Sequence, residues 1–583
     1  MKLVLAAAMG LWGVAASAQP IRSLKNVAVP EPPGLDAYVR DKSTLVALGK
    51  ALFWDMQAGS DGRTACATCH FHAGADHRAQ NQLADPNNPF PANHVFSSSD
   101  FPFRKLADPG NRNSEVLRDT SMRAGSAGTF RRKFVDVVPG QAAEIGEDVF
   151  DRPDFISGDF QMRRVTNRNS PSVINAALYI FNFWDGRANR FFNGFNPSGS
   201  ADVPGVLMLR EGNLERNQVR LDNSSLASQA SGPILDLLEM SYEGRTWPKL
   251  GKKMLSIAPL ALQRVASDDS VLGSMARAGG RGLADNVSYL GWIRIVFVPA
   301  LWESTQLVDE TGKAIAGRAG DPASTSEFTQ AEYNFSLFWA LALQAYQSTL
   351  ISPDTPFDRF QDGDTRALTA EQQDGMRFYQ AQGRCAGCHG GPEFSAAGFS
   401  ALGGRGGIAG RAFQRTGVRS VAEDAGRGNG TFKSIGLRNV ELTGPYFHNG
   451  GEATLEQVAE FYARGGDFAP NIGIRPFSMT ESQKASLVAF LKALTDERVR
   501  YEQAPFDHPE LCVPSGHREA RPGVLMPGGA PFPRSAQENW VGLAAVGGSG
   551  GPALQTFDEL LVGKGTDGSR GHTMTAACTV PLP

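Results

Sequence analysis

The sequence predicts a mainly α-helical fold with long irregular connections. Apolar residues recur at helical spacing in several segments, and no run of alternating apolar and polar residues is long enough to indicate a β-strand. The 583 residues include 65 glycines and 35 prolines. Because these two residue types interrupt regular structure, we expect extended loops between the helices.

Three helices are indicated most clearly. Residues 334–350 carry apolar side chains at helical spacing and are followed by prolines that end the pattern. Two further helices should begin at Thr369, with Gln372 three residues later, and at Thr480, with Gln483 three residues later. This spacing is typical of a capping box, in which the two side chains satisfy free amides at a helix start.

The N-terminus is expected to be a secretory signal peptide, residues 1–18. Lys2 supplies a positive charge, an apolar stretch follows, and Ala16, Ser17 and Ala18 provide the small residues of a cleavage site. The alternative is a membrane anchor, but the apolar run is shorter than the about 20 residues that cross a bilayer. We therefore expect an exported, periplasmic protein without a membrane span.

The overall charge excludes some classes of partner. The net charge of −3 gives no basic surface of the kind that binds nucleic acid or an anionic membrane. The length is sufficient for two to four domains.

Two C-x-x-C-H motifs carry the strongest chemical signal. They consist of Cys66, Cys69 and His70 in the N-terminal part, and of Cys385, Cys388 and His389 further on. This motif is typical of covalent c-type haem attachment, with both thiols on the porphyrin and the histidine on the iron. A redox disulfide would need a βαβ context. A shared zinc site would need closer spacing, since the motifs are more than 300 residues apart.

The remaining cysteines, Cys512 and Cys578, lie in the C-terminal part. In an oxidising compartment they are expected to form a disulfide. Two free thiols are the alternative and are uncommon in exported proteins.

Four further segments resemble the bacterial di-haem cytochrome c peroxidase and MauG superfamily. They are 168–176 (RNSPSVINA) with 183–188 (FWDGRA), Gln229 with Gly232, Pro233, Glu239 and Met240, residues 353–364, and 437–440 (LRNV) with 442–450 (LTGPYFHNG). The likeness is close over 165–245 and 340–500. It implies two cytochrome c-like haem domains, with long loop-rich insertions and a C-terminal extension.

The resemblance also implies the domain limits. An N-terminal, peroxidatic haem domain with insertions should span 19–330, and a C-terminal cytochrome c-like haem domain should span 331–505. A Gly/Pro-rich extension, 506–583, should follow. In the family, peroxide reacts at the N-terminal haem, and the C-terminal haem exchanges electrons.

Three residues match catalytic positions of the family. Glu239 matches a distal carboxylate that moves a proton during peroxide cleavage, although a glutamate is ordinarily a surface residue. Gln229 matches an amide that orients peroxide or water, and it could otherwise be a solvated helix residue. Trp184 matches the indole between the two haems, a role compatible with that of a buried core residue.

Tyr462 lies fourteen residues after His448, where the peroxidases have a methionine ligand to the C-terminal haem and the MauG branch has a tyrosine. A thioether raises the haem potential, whereas a phenolate stabilises the oxidised metal. Ligation by Tyr462 therefore favours the MauG branch. Met479 is the competing ligand, and a packed aromatic beside Phe461 is the alternative role for Tyr462.

The resemblance implies one calcium ion, held by Asn169 and by the backbone oxygens of Thr443 and Pro445. An all-oxygen set suits this cation. His72, His77 and His94 follow the first haem motif, and none is assigned as a ligand because the insertion after residue 75 removes the alignment.

The predicted function is a MauG-like enzyme that reduces hydrogen peroxide and then oxidises an unknown protein or small organic donor. Three alternatives remain. One is a conventional cytochrome c peroxidase with a small redox-protein donor. Another is a dioxygen-using relative similar to the rubber oxygenases, which Glu239 and Gln229 disfavour. The third is a non-catalytic di-haem electron carrier.

Overall fold

The predicted helices are present in the computed structural model, which describes residues 20–79, 94–151, 155–157, 160–403, 412–469, 473–517, 534–535, 538–562 and 578. The predicted signal peptide, 1–18, lies outside these residues. Twelve α-helices have their bounds within the described ranges. They are α1 (Lys42–Trp54), α2 (Ser225–Ala230), α3 (Trp247–Leu255), α4 (Tyr289–Val296), α5 (Gln330–Tyr333), α6 (Phe335–Gln347), α7 (Pro356–Gln361), α8 (Ala370–Gln380), α9 (Leu455–Ala463), α10 (Glu481–Lys492), α11 (Glu497–Arg500) and α12 (Phe557–Leu561).

The capping predictions are confirmed. The Thr369 side chain accepts a hydrogen bond from the Gln372 amide at the start of α8, and the Gln372 side chain accepts one from the Thr369 amide. Thr480 and Gln483 do the same at the start of α10. Such caps stabilise a helix by about 1 kcal/mol each, so the starts of both helices are encoded locally.

Short strands, which the sequence pattern does not predict, accompany the helices. The described strands are β1 (Arg104–Leu106), β2 (Val116–Asp119), β3 (Arg132–Asp136), β4 (Ile145–Asp148), β5 (Ile156–Ser157), β6 (Phe160–Gln161), β7 (Val206–Arg210), β8 (Asn213–Asn217), β9 (Gln306–Val308), β10 (Ala314–Ala319), β11 (Phe413–Gln414), β12 (Phe432–Lys433), β13 (Leu511–His517), β14 (Arg534–Ser535) and β15 (Glu538–Leu543). They pair in small sheets of two or three strands. Alternation over so few residues is too short to recognise, so the mainly α expectation describes the helical cores better than the inserted segments.

Each haem motif follows a helix that crosses another helix at a glycine. α1 crosses α6 at Gly49, where an added Cβ would lie 1.9 Å from the carbonyl oxygen of Ala342. α8 crosses α10 at Gly375, where an added Cβ would lie 1.9 Å from the carbonyl oxygen of Ser486. Because glycine has no side chain, it permits this close backbone approach. The two haem motifs therefore follow helix pairs that are built in the same way.

The helix pairs belong to two separate apolar cores. The larger core combines α1, α3, α4 and α6, and the smaller combines α8, α9 and α10. α6 thus packs in the larger core, which we call the N-terminal core because it contains α1. The predicted domain limit at residue 330 would instead assign α6 to the C-terminal domain.

The C-terminal extension packs on the N-terminal core. β13 pairs antiparallel with β15, with Val513 opposite Val541, and Leu511, Val513 and Leu543 are buried in the larger core. The predicted disulfide between Cys512 and Cys578 is confirmed. In the described ranges, none of the helices combines the length and apolar character needed to cross a bilayer.

Candidate functional site

The first haem motif forms a tight turn that orients His70. Cys66–Cys69 is a short 3-10 helix, and the Ala65 amide donates to the hydroxyl of Thr68 at 2.9 Å. Nδ1 of His70 lies 2.9 Å from the carbonyl oxygen of Gly74. A backbone acceptor at Nδ1 holds the proton there and leaves Nε2 as a metal ligand. The histidine is therefore set up as the motif requires.

The second motif has the same arrangement. Cys385–Gly387 forms a 3-10 turn, and Nδ1 of His389 lies 2.9 Å from the carbonyl oxygen of Ile435. The hydroxyl of Tyr379 donates to the backbone oxygen of His389 at 2.5 Å. Burial lowers the pKa of both motif histidines. Imidazoles whose Nδ1 is engaged in this way would be suited to hold haem iron through Nε2.

A cavity of about 600 Å³ adjoins the first motif, a volume in the range of cofactor sites. Cys69 and His70 line one side, and Glu239, Gln229 and Trp184 line others. The structure thus brings these predicted site residues to a single cavity. Since a motif thiol and the histidine share this space, the residues present fit a covalently attached haem.

Glu239 is half-buried in the cavity wall. Loss of solvent is the main cause that raises the pKa of its carboxyl to about 8, and the negative charge of Asp236 raises it further. The guanidinium of Arg187 opposes this shift. A carboxyl with a pKa near neutrality can both accept and release a proton under ordinary conditions, as a general acid–base group must.

The backbone of Glu239 is held by a segment from the predicted insertion. The Thr129 amide donates to the carbonyl oxygen of Glu239 at 3.0 Å. A Cβ added to Gly128 would lie 2.0 Å from the carbonyl oxygen of Leu238 and 2.5 Å from that of Glu239. The motifs gave no indication of Gly128, because its role depends on a contact between segments more than a hundred residues apart.

Gln229 lies at the end of α2, half-buried in the cavity wall. α2 packs on α6, and the Ala227 amide donates to the side-chain oxygen of Gln344 at 3.1 Å. Gln229 is therefore presented by a helix that is anchored in the N-terminal core.

Trp184 is buried and is held by hydrogen bonds to two other segments of the chain. Its Nε1 donates to the carbonyl oxygen of Asn169 at 2.8 Å, and its own carbonyl oxygen accepts from the Lys433 amide at 2.7 Å. Two residues after Lys433, Ile435 accepts the hydrogen bond from His389. A short chain segment thus joins the indole residue to the second haem motif.

Ion pairs join an N-terminal and a C-terminal segment of the chain in the cavity wall. Arg168 donates to Asp185 at 2.7 Å and to Asp424 at 2.8 Å, and all three residues line the cavity. Arg187 and Asp185 stand in the FWDGRA motif, one of the segments that carry the family resemblance. The motif was the available signal for these two residues.

Tyr462 lies in α9 and is half-buried. Burial raises the pKa of its phenol, as do the nearby Cys388 and Cys385 thiols. Both motif thiols therefore lie within electrostatic range of the phenol. Met479, the competing ligand, packs against the smaller apolar core, as does Cys385 of the second haem motif.

The predicted calcium ligands come from adjoining segments. The Asn169 side-chain amide donates to the carbonyl oxygen of Ala124 at 3.2 Å, and its backbone amide donates to that of His448 at 2.8 Å. Thr443 and Pro445 stand shortly before His448 in the chain.

His72 and His77, which were not assigned as ligands, stack on each other with ring centroids 3.4 Å apart.

Comparison with known proteins identifies relatives of the same kind. The family model described as di-haem cytochrome c peroxidase matches residues 43–127 and 131–269. The methylamine utilization protein MauG of Methylorubrum extorquens is 30% identical over 228 residues, covering 37% of this chain and 60% of that protein. The cytochrome c551 peroxidase of Nitrosomonas europaea is 36% identical over 169 residues, covering 27% of this chain and 44% of that protein.

The chain thus spans 60% or less of the length of these two curated relatives. The crystal structure of the diheme peroxidase BthA from Burkholderia thailandensis superposes over 87% of this chain and 100% of that one, with 17% identity and a TM-score of 0.40. The family match and the curated relatives confirm the resemblance seen in the sequence: residues 43–127 and 131–269 match the di-haem cytochrome c peroxidase family, and parts of the chain are similar to MauG and to cytochrome c peroxidases.

Proposed function

We propose that this chain is an exported di-haem c-type enzyme that reduces hydrogen peroxide at its N-terminal haem. The single observation that carries the proposal is the shared cavity, in which Cys69 and His70 of the haem motif face Glu239, Gln229 and Trp184. The match of residues 43–127 and 131–269 to the di-haem cytochrome c peroxidase family supports two haem groups. We also propose that each haem occupies its own cytochrome c-like domain.

When bound, the haem supplies the redox-active iron at which peroxide is reduced. His70 would hold this iron through Nε2, because Nδ1 is engaged by Gly74. Glu239 would accept a proton from the incoming peroxide and return it to the oxygen that leaves as water. The side chain of Gln229 would orient peroxide by hydrogen bonding. These roles need only side chains that already line the cavity.

Trp184 would carry electrons between the haem sites. Its indole is buried and fixed by the hydrogen bond to Asn169, and its backbone is connected to the segment that supports His389. The proximity of Tyr462 to the second motif supports a His389/Tyr462 ligand pair. Such a pair would let the second haem share oxidising equivalents, as in the MauG branch. A calcium ion at Asn169, Thr443 and Pro445 remains a prediction.

A conventional cytochrome c peroxidase is the second candidate. Met479 packs in the same core as the second haem motif, and a relative carries the name cytochrome c551 peroxidase. Under this alternative, Met479 would bind the second iron, and a small redox protein would supply electrons.

The holoprotein distinguishes these functions. Pyridine haemochrome absorbance should show two haems, and the electron paramagnetic resonance spectrum of the ferric protein should show one high-spin and one low-spin haem. Peroxide should change the haem spectrum without prior reduction. A response only after half-reduction would favour the conventional peroxidase, and two inert low-spin haems would indicate an electron carrier.

A pair of variants tests the role assigned to Glu239. Glu239→Gln should lower kcat/KM for peroxide about 100-fold or more, the usual range for loss of a general acid–base group. Glu243→Gln is the matched control, because Glu243 is exposed and pairs with Arg131. Equal rates for the two variants would contradict the assignment.

A further inference from the structure

A second, smaller cavity of about 30 Å³ adjoins His70 and is walled largely by aromatic side chains. Phe53 packs against the His70 ring with centroids 6.4 Å apart. Phe53 in turn contacts Tyr346 at 5.4 Å and Trp54 at 5.9 Å between centroids. One phenyl ring therefore separates the haem-ligating imidazole from a phenol and an indole.

The indole of Trp54 is held by polar partners as well as by the core. It is 4% exposed, and its Nε1 donates to the hydroxyl oxygen of Tyr346 at 2.9 Å. The His508 ring stacks on its face, with centroids 4.6 Å apart and planes inclined by 10°. Trp54 ends α1, whereas His508 belongs to the C-terminal extension, so the extension completes this arrangement.

A buried carboxyl group lies just beyond the stacked imidazole. Nε2 of His508 is 3.2 Å from Oε1 of Glu502, and both residues are almost fully buried. Electrostatic interactions are strong where water is excluded. The carboxyl oxygen of Glu502, together with the carbonyl oxygen of Pro509 at 2.8 Å from Nδ1 of His508, holds the ring in place, and these electronegative atoms favour positive charge on the imidazole and indole stack.

We propose that Trp54 is a redox-active residue that donates one electron to the N-terminal haem after peroxide has oxidised it, an inference that rests on the proposed function. Reduction of hydrogen peroxide to two water molecules consumes two electrons and two protons. One of these electrons comes from the indole of Trp54, which becomes a cation radical, and the other comes from the haem iron. No covalent bond of the protein forms or breaks in this step.

The hydrogen bond between the two side chains favours Trp54 over Tyr346 as the donor. An oxidised indole can keep its Nε1 proton on the hydrogen bond to Tyr346. Oxidation of Tyr346 would instead require its phenol to release a proton, and burial raises the pKa of this group, which makes the release costly. Phe53 only separates the two groups, because its ring is much harder to oxidise.

The test is electron paramagnetic resonance of the holoprotein, frozen shortly after peroxide is added. The wild-type protein should show an organic radical that narrows when tryptophan is ring-deuterated and does not change when tyrosine is. Trp54→Phe should abolish this signal and retain the peroxide-induced change in haem absorbance. Trp292→Phe is the matched control, because Trp292 is also buried in the large core but lies in α4.

A second variant keeps the test decisive if Trp54→Phe fails to fold. Tyr346→Phe removes the partner of the indole N–H and should alter the nitrogen hyperfine splitting of the same signal. A radical signal that is unchanged in Trp54→Phe or in Tyr346→Phe would overturn the inference but not the proposed function. A haem response to peroxide in the wild-type protein without any radical signal would have the same consequence. If peroxide leaves the haem absorbance unchanged in the wild-type protein, the proposed function fails and the inference fails with it.

Discussion

Replacement of Gly128 by alanine should displace Glu239 and slow peroxide reduction without removing any group from the cavity. The new Cβ would lie 2.0 Å from the carbonyl oxygen of Leu238, 2.5 Å from that of Glu239 and 2.8 Å from the Glu239 Cα. On its other side, the Gly128 amide donates to the carbonyl oxygen of Arg164 at 2.8 Å. Because Gly128 is held there, the backbone of Leu238 and Glu239 must move.

The size of the effect follows from the size of the displacement. Relief of these contacts requires a shift of about 1 Å, and a shift of this size in a catalytic group can reduce the rate about 100-fold. This corresponds to about 2.7 kcal/mol of transition-state stabilisation. Overpacking should also lower the free energy of unfolding by about 1–3 kcal/mol.

The assay is stopped-flow measurement of peroxide consumption by the holoprotein, with the haem content measured in parallel. Gly110→Ala is the matched control, since its added Cβ would meet only the Asp108 carboxylate, at 3.4 Å. A Gly128→Ala variant that binds both haems and consumes peroxide at the wild-type rate would refute the argument that this contact positions Glu239.

Three further predictions concern charge, ligation and stability. Asp236→Asn should shift the pH profile of kcat/KM to lower pH. The negative charge of Asp236 raises the pKa of Glu239, so its removal allows the carboxylate form of Glu239 to persist in more acidic solution. An unchanged profile or a shift to higher pH would contradict this prediction. Tyr462→Met should raise the reduction potential of the second haem in a spectroelectrochemical titration, because a thioether raises haem potential, and an unchanged potential would remove Tyr462 as a ligand. Replacement of both Cys512 and Cys578 by alanine should lower the free energy of unfolding by up to about 4 kcal/mol in denaturant titrations, given a separation of 66 residues, and a loss of haem instead would show that the disulfide supports the haem site directly.

The amino-acid sequence by itself determined the features that depend on neighbouring residues. Each haem motif consists of five consecutive residues, so the haem attachment that it specifies can be recognised without knowledge of the fold. The starts of α8 and α10 were predicted for the same reason, since a capping box needs only a threonine and a glutamine three residues apart. Glu239, Gln229 and Trp184 were predicted as site residues through the family resemblance of the segments around them; they line one cavity in the structure, and their catalytic roles stay a prediction.

Only the tertiary structure decided the features that depend on contacts between distant segments. The raised pKa of Glu239 arises from loss of solvent in the folded cavity wall, and the support from Gly128 joins segments more than a hundred residues apart. Likewise, His508 reaches Trp54 only because the extension packs on the N-terminal core. Burial and contacts between distant backbone segments arise only when the chain folds, so they cannot be predicted from local sequence patterns.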